Sequence, residues 1–300
     1  MILPKPADLL ATGTCPGAGF TVAFADATET ARELCRNHLC GPAASRALGE
    51  ALAGSVLLAA GLDEPGDTAT LRLSVNGPLQ GLCVEAALDA TGVALRGFTN
   101  RKVMDGLDIS EDPRSRDILG NSARACFDFA RNGRRVRNAF VDLQGELDAS
   151  LVFTRFYSDS EQRPALVHVA ASLYGGYLNY ARAFQILPNP DASASDDYNR
   201  VETKFMDGTV AENLDACLSL SDLCAALELP APEDVAMRPV RFHCGCSRKR
   251  VLAMLERLAI AELQSILNDG VAPEITCHMC GRGHTISLDE VEKLLGDLPF

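Results

Sequence analysis

Cys244 and Cys246 flank a single glycine in HCGCSRKR, and about thirty residues later Cys277 and Cys280 flank two residues in TCHMCGRGH. Zinc takes four soft or borderline ligands at tetrahedral positions, with sulfur at about 2.3 Å, and a C-x-C or C-x-x-C turn supplies two of them. Two such pairs can enclose one ion, so these four cysteines are the candidate ligands of a single Zn2+ per chain. His243, His278 and His284 border the pairs and stand behind the thiolates as ligands, because four sulfurs are already at hand. Arg248, Lys249 and Arg250 begin the helical pattern that follows, where positive charge opposes the helix dipole. Compensation of thiolate charge explains them, and so does a solvated helix face. The C-x-C spacing permits a second chemistry. Residues i and i+2 reach disulfide distance in a strained ring that is readily reduced again, so oxidation could expel the metal and reduction restore it. By itself the spacing fits a permanent structural clasp at least as well.

The elements that must position these thiols follow from periodicity. Between the pairs, Val251, Leu252, Leu255 and Leu258 share one helical face and Leu263, Ile266 and Leu267 another. PEITC and HTISL predict the two arms of a hairpin whose turn is the C-x-x-C-G knuckle, with Gly281 relieving a positive φ. A module of residues 241–300 has little core, so an ion would contribute much of its stability. Upstream, residues 1–187 mix helical patterns (28–39, 43–60, 145–157) with strand patterns such as TLRLSV, GLCVEAAL, VALRGF, ARACFDFA and RNAFVDL. The expected fold class is α+β, with a mainly antiparallel sheet in the N-terminal domain. Pro188 and Pro190 close that domain. The segment 188–240 that follows is acidic, with scattered apolar residues, and predicts a conditionally folded linker of marginal amphipathic helices ended by the prolines of LPAPEDVAMRPV.

The formal net charge of -12 is unevenly spread, at -3 over 1–187, -8 over 188–240 and -1 over 241–300. No basic face for phosphate contacts is supplied, so nucleic acid is not an expected partner. The longest apolar stretch carries Arg46 and Glu50, and no membrane span is expected. MILPKPADLL lacks the pattern of an export signal, and eleven cysteines without one point to a reducing, cytoplasmic compartment. Cys15, Cys35, Cys40, Cys83, Cys126, Cys217 and Cys224 are expected to pack as small hydrophobes, with Cys35 and Cys40 too far apart on a helix for a C-x-x-C motif. Cys217 and Cys224 would become reactive if the linker opened. His168 lies in a strand pattern without a nucleophile and is expected to be structural. GTCPGAG predicts a tight loop but lacks the lysine and helix of a phosphate loop.

F-x-C-x-C-S-R-K-R, the helical stretch ending in ELQSILNDG and the final C-x-x-C-G resemble the zinc domain of the redox-regulated chaperone family called heat-shock protein 33. ALGEALAGSVLLAAGL, TLRLSVNGPLQGLCVEA, FYSDSEQRPA and GGYLNYARAFQILP resemble its N-terminal domain in order and spacing, so the likeness covers nearly the whole chain. The resemblance implies a cytoplasmic, ATP-independent holdase, not an enzyme, whose zinc-bound thiolates sense peroxide or hypochlorous acid. It implies that oxidation pairs Cys244 with Cys246 and Cys277 with Cys280, releases zinc and unfolds the linker, exposing apolar surface to unfolding client proteins, with a homodimer on activation. The chain departs from the family pattern at Pro164 and Ala165, and at Met279 and His284, where aromatic residues are usual. Two other functions fit the residues. One is an interaction protein with a constitutive zinc ribbon. The other is a thiol-disulfide oxidoreductase, for which no thioredoxin-like strand and helix surround Cys277 and Cys280.

Overall fold

Strands form where apolar residues alternate, and in this chain several of them must be covered on both faces. The computed structural model describes residues 8–110, 112–216 and 219–297, and the chain divides into two units between His243 and Cys244. The first unit contains β1 (Leu9–Cys15), β2 (Phe20–Asp26), β3 (Asp67–Val75), β4 (Gly81–Asp89), β5 (Gly92–Thr99), β6 (Ser122–Arg131), β7 (Arg134–Gln144), β8 (Leu166–Tyr174), β9 (Tyr177–Pro188) and β10 (Glu233–Phe242). They form one sheet in the order β7-β6-β3-β4-β5-β10-β1-β2-β9-β8. Every neighbouring pair is antiparallel except β10 with β5. The helices of this unit are α1 (Thr28–His38), α2 (Pro42–Leu58), α3 (Ser115–Leu119), α4 (Ala149–Arg155), α5 (Asp196–Met206), α6 (Thr209–Asp215) and α7 (Leu220–Ala226).

The helix α2 packs on β8, β9 and β2 from one half of the sheet and on β3, β4 and β5 from the other. Such a helix must be apolar on all sides, which is how its sequence reads. By length and composition the stretch Pro42–Gly61 could cross a membrane, but 89% of its apolar window is buried inside the protein, as befits a core helix. Small residues let it approach closely. A Cβ at Gly49 would stand 3.3 Å from the methyls of Ala171 and Ala181, and one at Gly54 would fall 2.0 Å from the Phe153 ring.

The opposite faces of β1, β2 and β9 carry the acidic segment. Phe20, Val22, Phe24, Phe184 and Ile186 repeat with period two, and against them lie Val201, Val210, Leu214, Leu220, Leu223 and Leu227, all buried. Phe184 stacks on Phe205 at 6.0 Å, and Phe20 meets Tyr198 edge-on at 6.4 Å. Asp26 and Arg182 pair across the strands on this same face at 3.0 Å, and the Arg182 guanidinium also donates to the Leu214 carbonyl at 2.7 Å and the Asp215 carbonyl at 3.2 Å. A buried cation thus satisfies the last carbonyls of α6 and favours the negative end of its dipole.

Two features differ from the sequence expectation, and the expected tight loop at GTCPGAG is found. The residues 145–157 do not form one helix: Asp148 caps α4 by accepting from Leu151 N–H at 2.7 Å, and a π-turn over Phe156–Ser160 follows. Residues around GTCPGAG form a hairpin of β1 and β2, the motif itself supplying the turn. The stretch after Pro232 is not a terminator but the strand β10, inserted between β1 and β5. Its residues are mostly exposed, so no alternation marks it in the sequence, and backbone pairing holds it. Pro239 fits because Gly92 (φ 134°) lets the two backbones close up; a Cβ there would stand 2.2 Å from the Pro239 carbonyl oxygen.

The second unit contains α8 (Arg248–Leu255), α9 (Ile260–Asp269), the hairpin of β11 (Glu274–Thr276) and β12 (Gly283–Thr285), and α10 (Leu288–Asp297). Its core is small: Val251, Leu255, Leu263, Ile286 and Val291, flanked by half-buried aliphatics.

Candidate metal centre

The C-x-C turn leads directly into α8, whose N-cap Ser247 accepts from the Arg250 N–H at 3.3 Å. The second pair lies in the turn of the β11–β12 hairpin. There the Cys277 N–H donates to the Arg282 carbonyl at 2.9 Å, and the carbonyl of Cys277 accepts from the N–H groups of Cys280 (3.3 Å) and Gly281 (2.8 Å). Gly281 has φ 71°, the left-handed conformation that the knuckle was expected to need.

These two turns bring four sulfurs together. Cys244 Sγ lies 3.9 Å from Cys277 Sγ and Cys246 Sγ 3.5 Å from Cys280 Sγ, and all four fall within 4.8 Å of one another. A tetrahedron with metal–sulfur arms of about 2.3 Å has edges of about 3.8 Å. The residues present therefore fit a metal held by four thiolates. Cys244 and Cys280 are buried and Cys246 and Cys277 half-buried. Burial pushes the thiols of Cys246 and Cys280 up, so a set of thiolates here calls for a cation among them.

None of His243, His278 and His284 joins the cluster. His284 sits on β12 opposite Ile275. Arg248 and Arg250 have different surroundings. Arg248 donates to the Glu290 carboxylate, at 3.1 Å from Nε, and to the Thr285 carbonyl, and it holds Glu290 down to about 2. Arg250 turns back on the C-x-C loop, its Nη1 standing 3.2 Å from where a Cβ on Gly245 would be. Arg248 thus has its own counter-ion, while Arg250 is exposed beside the C-x-C loop.

The remaining cysteines lie in the first unit, apart from Cys217, which is outside the described residues. Cys15 and Cys224 are fully buried in the same core cluster, and the Cys15 thiol donates to the Pro230 carbonyl at 3.6 Å. Cys83 and Cys126 are half-buried on β4 and β6. His168 lies half-buried on β8, where burial pushes its imidazole pKa down. Ala165 is buried just before β8, beside Arg163, which donates to the Pro188 carbonyl at 3.4 Å.

A model of the family described as Hsp33 protein matches residues 8–287. A 33 kDa chaperonin of Symbiobacterium thermophilum is 28% identical over 292 residues, 92% of this chain and 93% of that one. A second, from Synechococcus elongatus, is 25% identical over 307 residues, 97% of this chain and 98% of the relative. The crystal structure of the Hsp33 homologue of Thermotoga maritima superposes with a TM-score of 0.85 at 18% identity, covering 97% of this chain and 98% of the other, which shows the fold. Matched by the family model along nearly all of its described length, this chain belongs to the Hsp33 family.

Proposed function

We propose that the protein is a redox-regulated, ATP-independent holdase of the cytoplasm, whose zinc-bound thiolates hold it inactive until they are oxidised. Its family makes it an Hsp33-type chaperone, and the observation that carries the finer reading is the convergence of four sulfurs within 4.8 Å on two turns. A Zn2+ held by Cys244, Cys246, Cys277 and Cys280 would keep all four as thiolates and tie the two turns together. Peroxide converts one thiolate to a sulfenic acid with release of hydroxide, and the neighbouring thiolate displaces a second hydroxide to close the disulfide. Done at Cys244 with Cys246 and at Cys277 with Cys280, this leaves the ion without ligands and the small core of the second unit without its clamp.

The acidic segment 188–240 supplies the other half of the switch. Its helices have 11, 7 and 7 residues, shorter than the roughly 12–15 that an isolated helix needs, so packing on β1, β2 and β9 keeps them folded. Opening it would bare Phe20, Val22, Phe24, Phe184 and Ile186, a broad apolar face for unfolding client proteins and for a second copy of the activated chain. No catalytic residue takes part.

The test is zinc content together with suppression of client aggregation, on the same reduced and peroxide-treated sample without ATP. Release of about one zinc per chain, with holding activity appearing alongside, is expected. Zinc retained under peroxide, with activity unchanged, would make the site a permanent clasp; turnover of a dithiol substrate would make it an oxidoreductase.

A further inference from the structure

Helix α1 ends in an unusual way. Leu39 takes the left-handed conformation (φ 55°, ψ 46°) although it is a bulky residue with its side chain 80% exposed. Glycine is the usual occupant of such a position, and a leucine there is strained. The turn is a Schellman motif: the Cys40 N–H donates to the Cys35 carbonyl at 2.9 Å and the Leu39 N–H to the Arg36 carbonyl at 3.1 Å. In this motif the side chains of the two residues joined by the outer bond meet, ordinarily as an apolar contact. Here they are two cysteines, and the Cys35 thiol donates to the Ser45 carbonyl at 3.9 Å. A separation of five along a continuous helix would have kept them apart. The left-handed residue folds the chain back and joins them.

The turn is fastened on its far side. Gly41 N–H donates to the Lys102 carbonyl at 2.7 Å, Asp108 accepts from Ala43 N–H at 2.9 Å, and Ser45 Oγ donates to the Cys40 carbonyl at 3.4 Å. The two thiols are unequal. Cys40 is half-buried, and the Cys35 thiol, five residues back across the turn, pulls the Cys40 thiol down against the effect of burial, with Lys102 assisting. Cys35 is buried, and the influence of Cys40, with burial behind it, pushes the Cys35 thiol well up. This is the division between an attacking and a resolving cysteine.

We propose that Cys35 and Cys40 form a second redox site, separate from the four-cysteine cluster, that reacts with low-molecular-weight disulfides and closes to an intramolecular disulfide. The Cys40 thiolate attacks one sulfur of the external disulfide, breaking its S–S bond and releasing one thiolate. Cys35 then attacks the Cys40 sulfur, forming the Cys35–Cys40 bond and releasing the second thiolate. The two protons lost by the protein thiols end on the two released thiols, and two electrons pass from the protein to the external disulfide. Capture of Cys40 in the first step removes the negative charge that holds Cys35 protonated, so the resolving thiol is freed when it is needed.

The experiment uses the full reduced, zinc-loaded chain and glutathione disulfide, followed by alkylation and tryptic mass mapping without reduction. Trypsin cuts after Arg36, so the disulfide joins ELCR (33–36) to NHLCGPAASR (37–46) and is read directly. In the wild type we expect this linked pair to replace a short-lived glutathione adduct on Cys40, with zinc content unchanged. In Cys35→Ser the adduct should accumulate, living at least about tenfold longer. Cys35→Ala repeats the test if the serine is poorly tolerated in its buried site, and the order of adduct and linked pair in the wild type stands even if neither variant folds. Cys40 that remains alkylated throughout, or an adduct that persists in the wild type without the linked peptide, would overturn the proposal. Zinc content is measured separately, so failure here and failure of the zinc switch are distinguishable.

Discussion

Leu223→Ala isolates the docking of the acidic segment from the stability of the sheet beneath it. The side chain is 1% exposed, belongs to α7 and packs among the aromatic and aliphatic residues of β1, β2 and β9. Truncating a buried leucine costs about 2–5 kcal/mol, made of lost transfer free energy and the cavity left behind. If α5 to α7 open as a unit with β3, β4 and β6 still folded, the whole of that cost falls on the opening equilibrium. At about 1.4 kcal/mol per factor of ten, the open population rises by about 30-fold to about 4,000-fold. Native-state hydrogen exchange followed by mass spectrometry reads this directly. Peptides spanning 196–226 should exchange faster by that factor, while peptides of β3, β4 and β6 keep their rates. The reduced variant should also suppress client aggregation without oxidation. Equal acceleration in the helices and in β3, β4 and β6 would refute the reasoning, because it would make the segment an inseparable part of one cooperative core.

Chelation of zinc from the reduced protein should abolish amide protection in 244–297 and spare the ten-stranded sheet, and X-ray absorption of the loaded protein should show four sulfur neighbours at about 2.3 Å. Gly281→Ala, which puts a side chain at φ 71°, should lower stability of the second unit by about 1 kcal/mol and weaken metal retention under competition by a chromogenic chelator. Glu50 lies buried on α2, hydrogen-bonded by Ser115 Oγ at 2.8 and 2.9 Å, and burial pushes its carboxyl up to about 7. The folded state therefore keeps a proton that the unfolded state gives up near pH 4.5, so Glu50 makes stability fall as pH rises from about 4.5 to 7 and level off above. Urea unfolding across that range should show a slope flatter for Glu50→Gln than for the wild type; parallel slopes would mean that Glu50 is ionised throughout.

The four-cysteine cluster was legible in the sequence because its members sit two by two on short local turns; that the close sulfur contacts run across the pairs, Cys244 with Cys277 and Cys246 with Cys280, was not. The hairpin of β11 and β12 and the helices α8 and α9 were legible for the same reason: each is a local pattern with a local terminator. β10 was not, since its position between β1 and β5 depends on backbone pairing with residues more than a hundred positions away, and its exposed side chains carry no alternation. The Cys35 and Cys40 contact escaped because it needs Leu39 in a conformation that leucine rarely adopts, and nothing in its residue type announces that. The helical character of 188–240 was readable from composition, but its partner face was not. That face became visible only when β2 and β9 lay side by side in register.

The place of β10 in the sheet also bears on how the molecule returns to rest. The acidic helices are bracketed by strands, β9 ending at Pro188 beside Phe20 and β10 beginning at Glu233 beside Thr14. An opened segment 189–232 is thus a hoop pinned at both ends, never a free tail. Closing a loop of that length costs about 3 kcal/mol of chain entropy, and here the sheet has already met it before the helices dock. The pinned hoop stays within reach of the surface that it left, so covering that surface again requires only local refolding, on the microsecond scale of helix formation. Under the proposed switch, a bound client would compete against a lid that remains at high local concentration, and its release would need no diffusional search.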